Sequence, residues 1–163
     1  MNIYLMQHGK SKSKEDDPER GLTSEGEGEI RIAGTAIEKM GVKFDLILTS
    51  TKKRAQQTAK IIAEKTLYKK EEIEVTETLD PLAESEKAIA FIKSFEGKNS
   101  ILLAGHLPSL GEIASDLLAG KSRIAIHFEN GALCRIDIEA LEAGEGELRY
   151  YLPMYQLELI SKL

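Results

Sequence analysis

His8 and His106 each stand beside a glycine at the end of a short apolar run, Leu5-Met6-Gln7-His8-Gly9 and Leu103-Ala104-Gly105-His106. A third apolar run ends in Thr49-Ser50, and Arg54 follows within about one helical turn. A neutral imidazole is a competent nucleophile near neutral pH. A guanidinium presents a planar fork of donors that suits phosphoryl oxygens. Brought together, these types would form an anion site suited to phosphate, with the two histidines as the candidate nucleophiles. Gly9 also allows a ligand to approach the backbone beside His8 closely. A lone histidine is more often structural, and His127, in Ile126-His127-Phe128 before Glu129-Asn130-Gly131, reads as a turn or surface residue. No HxxxH, HxH or CxxC pair is present, so neither a metal nor a cofactor is expected. A Walker A sequence is absent, and no G-x-G-x-x-G follows the first run. Ser50 lacks the context of a nucleophile elbow.

The helix expected after Ser50 has Lys52, Lys53 and Arg54 in its first turn, where the helix dipole is already positive. Each misplaced cation costs roughly 0.3–1 kcal/mol at low salt. A bound anion reverses that sign. For Arg54 the anion reading is preferred; for Lys52 and Lys53, a solvated basic face. The stretch from Gly9 to Leu22 exceeds the usual connection of about 4–6 residues. It begins basic (Lys10, Lys12, Lys14) and turns acidic (Glu15, Asp16, Asp17). The lysines either steer an anion inward or belong to a solvated loop.

For these groups to meet, their strands must end at one sheet edge. Strands are expected at Ile3–Met6, Asp45–Thr49, Ile73–Thr76, Ile101–Gly105 and Ala132–Ile138, with an edge strand at Glu147–Leu152 before Pro153. Ser24-x-x-Glu27 reads as a capping box that opens a helix through Ile30, Ala33, Ile37 and Met40 to Gly41. Ser50 or Thr51 is expected to cap a helix whose stripe is Ala55, Ala59, Ile62 and Ala63. Further helices are expected at Glu84–Phe95 and Pro108–Leu118. This alternation predicts an α/β fold, a three-layer α/β/α arrangement with a mostly parallel central sheet. In such sheets ligands bind beyond the carboxyl ends of the strands.

The 163 residues are 42% hydrophobic and 30% charged, which fits one domain, 1–163, and excludes a disordered polyelectrolyte. No apolar run approaches the roughly 18 residues of a membrane helix, and the start is too short and too soon polar for a signal peptide. The single Cys134 excludes an internal disulfide, and a cytoplasmic location is expected. A net charge of −5 argues against nonspecific nucleic-acid binding. No membrane association is expected, and the chain is expected to be a monomer.

Four motifs in order carry a family resemblance. Leu5-Met6-Gln7-His8-Gly9 resembles the Arg-His-Gly strand end of the histidine phosphatase superfamily, which has the phosphoglycerate mutase-like fold. Gly21-Leu22-Thr23-x-x-Gly26 resembles its "LT-x-x-G" helix entry. Leu48-Thr49-Ser50-Thr51-x-x-Arg54-Ala55-x-x-Thr58-Ala59 resembles "SP-x-x-RA-x-x-TA". Gly105-His106-x-Pro108-x-Leu110 resembles "GHNP-x-L". Asn130-Gly131-Ala132 resembles the small-residue turn before a late strand. The short length and the GH-x-P-x-L wording look most like the SixA-type phosphohistidine phosphatases. The resemblance implies metal-independent covalent catalysis. His8 would attack phosphorus and become a phosphohistidine, while Arg54 and His106 hold the phosphoryl oxygens; Gln7, Gly9 and Arg20 would line the phosphate site. It implies as partner a phosphorylated protein, such as a phosphohistidine domain of a signalling pathway, or a small phosphorylated substrate.

One departure stands out: the family arginine before the nucleophile is Gln7 here. Gln keeps a donor but loses the charge and the fork. Losing one such contact costs roughly 2–4 kcal/mol in the transition state. Arg20 either compensates from the long loop or pairs on the surface with Glu19 or Asp17. Many superfamily members protonate the leaving alkoxide with a carboxylic acid; the candidates are Asp80 and Glu84, and Glu84 also suits a helix first turn. The SixA-type branch largely lacks this acid. Four readings stay open: a phosphatase of protein phosphohistidine, a small-molecule phosphomonoesterase, a weakened module that only binds phosphate or phosphohistidine, and an interaction domain that has merely kept the fold.

Overall fold

A computed structural model describes residues 1–95 and 97–163. Six strands form one sheet: β1 (Asn2–Gln7), β2 (Leu46–Thr49), β3 (Glu74–Val75), β4 (Ser100–Gly105), β5 (Leu133–Ile138) and β6 (Gly146–Leu152), in the order β3-β2-β4-β1-β5-β6. Strands β1 to β4 are mutually parallel. β5 runs antiparallel to β1, and β6 antiparallel to β5. The sheet is thus mostly parallel, with an antiparallel flank. The segment before β5 reaches the carboxyl end of β1, where the Gly131 amide donates to the Gln7 carbonyl at 3.0 Å, so β5 can only run back.

Period-two alternation assigns side chains to two faces. Ile3, Leu5, Leu46, Leu48, Ile101 and Leu103 pack into one core with α3 (Ser85–Lys93) and α4 (Ser109–Ala119). Tyr4, Met6, Ile47, Leu102 and Ala104 pack into the other with α1 (Ser24–Lys39), α2 (Lys53–Lys65) and α5 (Met154–Ser161). The result is the expected three layers. Each large aliphatic side chain fully buried here contributes roughly 1.5–3 kcal/mol of transfer free energy.

Several local expectations need correction. Thr23, not Ser24, caps α1: its Oγ accepts the Gly26 amide at 2.9 Å. The N-cap of α2 is Lys52, with no side-chain cap of its own, although Ser50 Oγ accepts the Lys52 amide at 3.2 Å. β3 is only two exposed residues. α5 was not expected, because Pro153 reads as a terminator; it instead precedes the first turn, where a missing N–H costs nothing.

The "LT-x-x-G" spacing has a steric cause. A Cβ on Gly26 would lie 2.2 Å from the Lys10 carbonyl oxygen, so only glycine lets the loop after β1 cross the start of α1. Gly26→Ala is expected to lower stability by roughly 1–3 kcal/mol through overpacking. Gly28→Ala, where nothing lies within 4 Å, is expected to raise it by about 0.5–1 kcal/mol. Denaturant midpoints at unchanged m-value read both.

Candidate active site

The carboxyl ends of β1, β2 and β4 open onto a cleft of about 680 Å³, lined among others by Gln7, His8, Arg20, Arg54, Pro81 and His106. Both histidines and Arg54 therefore share one cleft. The His8 and His106 ring centroids are 4.9 Å apart. Arg54 Nε donates to His8 Nε2 at 3.1 Å.

Two contacts select one tautomer of His8. Nδ1 lies 2.7 Å from the Gly9 carbonyl oxygen, which accepts only if Nδ1 carries the proton. Nε2 then holds a lone pair, and that atom faces Arg54. Burial, partly opposed by the Gly9 bond and reinforced by Arg54 and Arg20, lowers the His8 pKa to about 4. The ring is thus neutral at physiological pH.

The loop that carries His8 is pinned from three sides. Its amide neighbour Gly9 donates to Thr58 Oγ at 3.1 Å. Thr58 Oγ in turn donates to the Arg54 carbonyl at 2.9 Å, which ties the His8 loop to the helix bearing the arginine. Asn130 Nδ2 donates to the His8 carbonyl at 2.8 Å. A Cβ on Gly9 would meet Ile30 Cγ1 at 2.7 Å, so the glycine seats the loop on α1.

His106 is only 2% exposed. Its Nε2 lies 2.6 Å from Ser50 Oγ. Because Ser50 Oγ already accepts the Lys52 amide, its hydroxyl proton suits Nε2, which leaves the proton of the neutral ring on Nδ1. Nδ1 is buried and has no partner among the described residues. Such an orphan costs roughly 1–3 kcal/mol unless something fills it. Burial, with the charges of its neighbours His8 and Arg54, lowers the His106 pKa to about 3. Gln7 Oε1 is a second buried polar atom without a partner among the described residues, at the position of the absent arginine.

The remaining candidates separate. Arg20 lines the cleft, and its charge bears on both His8 and Arg54. It makes no ion pair with Glu19 or Asp17; those carboxylates go to Lys53 Nζ, at 3.1 and 3.3 Å. Lys52 Nζ pairs with Asp80 at 3.0 Å; both lysines keep the solvent exposure expected from sequence, at 44% and 40% of their side chains, and each also has a carboxylate partner. Asp80 also accepts the Thr51 amide at 2.9 Å and the Thr51 hydroxyl at 2.8 Å. Burial raises the Asp80 pKa, but these bonds outweigh it and leave the group lowered, hence ionised and occupied as a brace. Glu84 lies outside the cleft lining, well exposed, 3.3 Å from Lys87. Of the two acid candidates, Glu84 thus stands off the cleft lining, and the Asp80 carboxylate is engaged by Thr51 and Lys52.

Sequence reasoning missed Ser50, Thr58 and Asn130 as supports of the two histidines. Ser50 directly follows a strand, Thr58 lies within α2 and Asn130 stands just before β5, and their partners are 49 to 122 residues distant in the chain.

A family model described as Histidine phosphatase superfamily (branch 1) matches residues 3–84, which include His8 and Arg54. An uncharacterised protein of Picosynechococcus is 31% identical over 127 residues, 75% of this chain and 76% of its own. Phosphohistidine phosphatase SixA of Escherichia coli is 25% identical over 166 residues, covering all of both chains. Among solved structures, the protein histidine phosphatase SixA complexed with tungstate superimposes with a TM-score of 0.85 at 24% identity, over 96% of this chain and 99% of that one, and so shares the fold.

Proposed function

Because the chain belongs to the histidine phosphatase superfamily, branch 1, we propose that it is a metal-independent phosphatase acting through a covalent intermediate on His8, with protein phosphohistidine as its substrate. The observation that carries this reading is the His8 Nε2 lone pair, held 3.1 Å from Arg54 Nε, with the His106 ring 4.9 Å from the His8 ring between centroids and its Nδ1 without a partner among the described residues. A phosphoryl group entering between them takes the Arg54 donor from His8 and supplies the acceptor that His106 lacks. Nε2 attacks phosphorus as the bond to the leaving group breaks. Water then attacks the phosphohistidine, releases inorganic phosphate and regenerates the neutral ring. Arg54, Arg20 and His106 stabilise the equatorial oxygens throughout. The charge is balanced by fixed guanidinium groups, so the step needs no metal.

The choice of substrate rests on the proton donor. Glu19 is the one carboxylate among the described cleft-lining residues, and it is paired with Lys53. An alkoxide leaving group would depart with little help. A phosphoramidate nitrogen is basic, accepts a proton readily and leaves. The E. coli relative's name, phosphohistidine phosphatase, supports the same choice. The chain is proposed to act as one domain and a monomer, in the cytoplasm.

The test compares turnover of a phosphohistidine protein with that of p-nitrophenyl phosphate, in wild type and Glu84→Gln. The phosphohistidine protein is expected to have the higher kcat/KM, and Glu84→Gln is expected to change neither rate by more than about twofold, as for a surface substitution. A drop confined to p-nitrophenyl phosphate in Glu84→Gln would instead identify a phosphomonoesterase using that acid. Phosphate binding without turnover of either substrate would identify a binding module.

A further inference from the structure

Arg20 adopts φ of +52°, a left-handed conformation rare for a long side chain. Such a conformation persists only where its surroundings impose it. Here the imposing group is Asp17. Its carboxylate accepts the amides on either side of Arg20, from Glu19 at 3.0 Å and from Gly21 at 3.0 Å. The Arg20 amide itself donates to the Asp17 carbonyl at 2.8 Å. This turn is then fastened to α2. Lys53 Nζ reaches Asp17 at 3.3 Å and Glu19 at 3.1 Å, and Gln57 Oε1 accepts the Leu22 amide at 2.7 Å. Lys53 directly precedes Arg54, so one helix turn holds both the cleft arginine and the clasp on Arg20. At its outer end the Arg20 guanidinium is steadied by the Lys12 carbonyl at 3.2 Å and Ser11 Oγ at 3.4 Å.

We propose that Asp17, with Lys53 and Gln57, is a positioning device that presents Arg20 to the cleft as a substitute for the guanidinium missing at position 7. The clasp rests on the phosphatase reading above. Asp17 touches no substrate; it acts through the backbone of Arg20. Two separate observations meet in it: a strained arginine wrapped by a carboxylate, and a buried, unpartnered Gln7 Oε1 where an arginine would otherwise stand.

The test is a double-mutant cycle read in kcat/KM for phosphoramidate and in the Kd for inorganic phosphate. Asp17→Ala is expected to lower kcat/KM about 10- to 100-fold and to weaken phosphate binding, with Asp17→Asn intermediate. Combination with Arg20→Ala is expected to add little, because both remove the same guanidinium. Gln7→Arg is expected to raise kcat/KM more in the Asp17→Ala background than in wild type. Lys53→Met, which leaves the Asp17 turn in place, guards against misfolding and is expected to show a smaller loss in the same direction. Losses that add fully to Arg20→Ala, or that Gln7→Arg does not recover, would overturn the clasp. If wild type neither binds phosphate nor turns over phosphoramidate, the phosphatase reading itself fails.

Discussion

His8→Ala is expected to abolish turnover, with a loss on the order of 10⁴–10⁶-fold in kcat, because removing the nucleophile of a constellation that acts as a unit removes its covalent route entirely. Incubation of wild type with ³²P-phosphohistidine protein, followed by an alkaline denaturing quench, is expected to leave label on His8, and His8→Ala none. Substantial turnover by the variant would mean that another group attacks phosphorus. The pH dependence carries a second signature. The free ring titrates near 4, so the acid limb of kcat/KM is expected near pH 4 rather than at the ordinary histidine value near 6.5. Stability changes in the same window for a related reason. Both histidines are lowered in the folded state, to about 4 and about 3, so the unfolded chain takes up protons first as pH falls. Their contribution is intact above about pH 6.5 and is lost progressively as pH falls toward those values.

Arg54→Ala is the second large effect. Arg54 Nε donates to His8 Nε2, the proposed attacking atom, and in the proposed mechanism it passes to the phosphoryl oxygens when substrate arrives. With position 7 already neutral, the cleft has no spare guanidinium except Arg20. Loss of the contact is expected to lower kcat about 10²–10³-fold. Arg54→Lys is expected to recover little, since an ammonium cannot reproduce the planar fork. Because Nε also donates to His8, the Ala variant is expected to move the acid limb of kcat/KM upward, as removing a neighbouring cation favours the imidazolium. A loss in KM alone, with kcat unchanged, would assign Arg54 to substrate binding only.

Much of this was readable in the chain because the chemistry sits where local signals are strong. Glycine–histidine pairs at the ends of apolar runs locate His8 and His106, and Arg54 follows from its helix start. The three layers follow from strand–helix alternation, borne out by Ile3 and Leu5 facing one core and Tyr4 and Met6 the other. What escaped depends on distant contacts. Whether Asp80 is an acid or a brace is decided by Thr51 and Lys52, and Glu84 is drawn off by exposure and Lys87. Ser50 reads as a possible helix cap until His106 Nε2 is seen 2.6 Å away. α5 buries only Leu157 completely, so its apolar stripe is too faint to mark a helix after Pro153.

A crystal structure with tungstate or vanadate bound tests the convergence of two imidazoles and a guanidinium on one phosphoryl group most directly. The metal centre of the oxyanion, standing in for phosphorus, is predicted to bond His8 Nε2, with its oxygens within hydrogen-bond reach of Arg54 and His106 Nδ1 together. An oxyanion bound elsewhere, or one in the cleft that leaves His106 Nδ1 without a partner and lies away from His8, would contradict it.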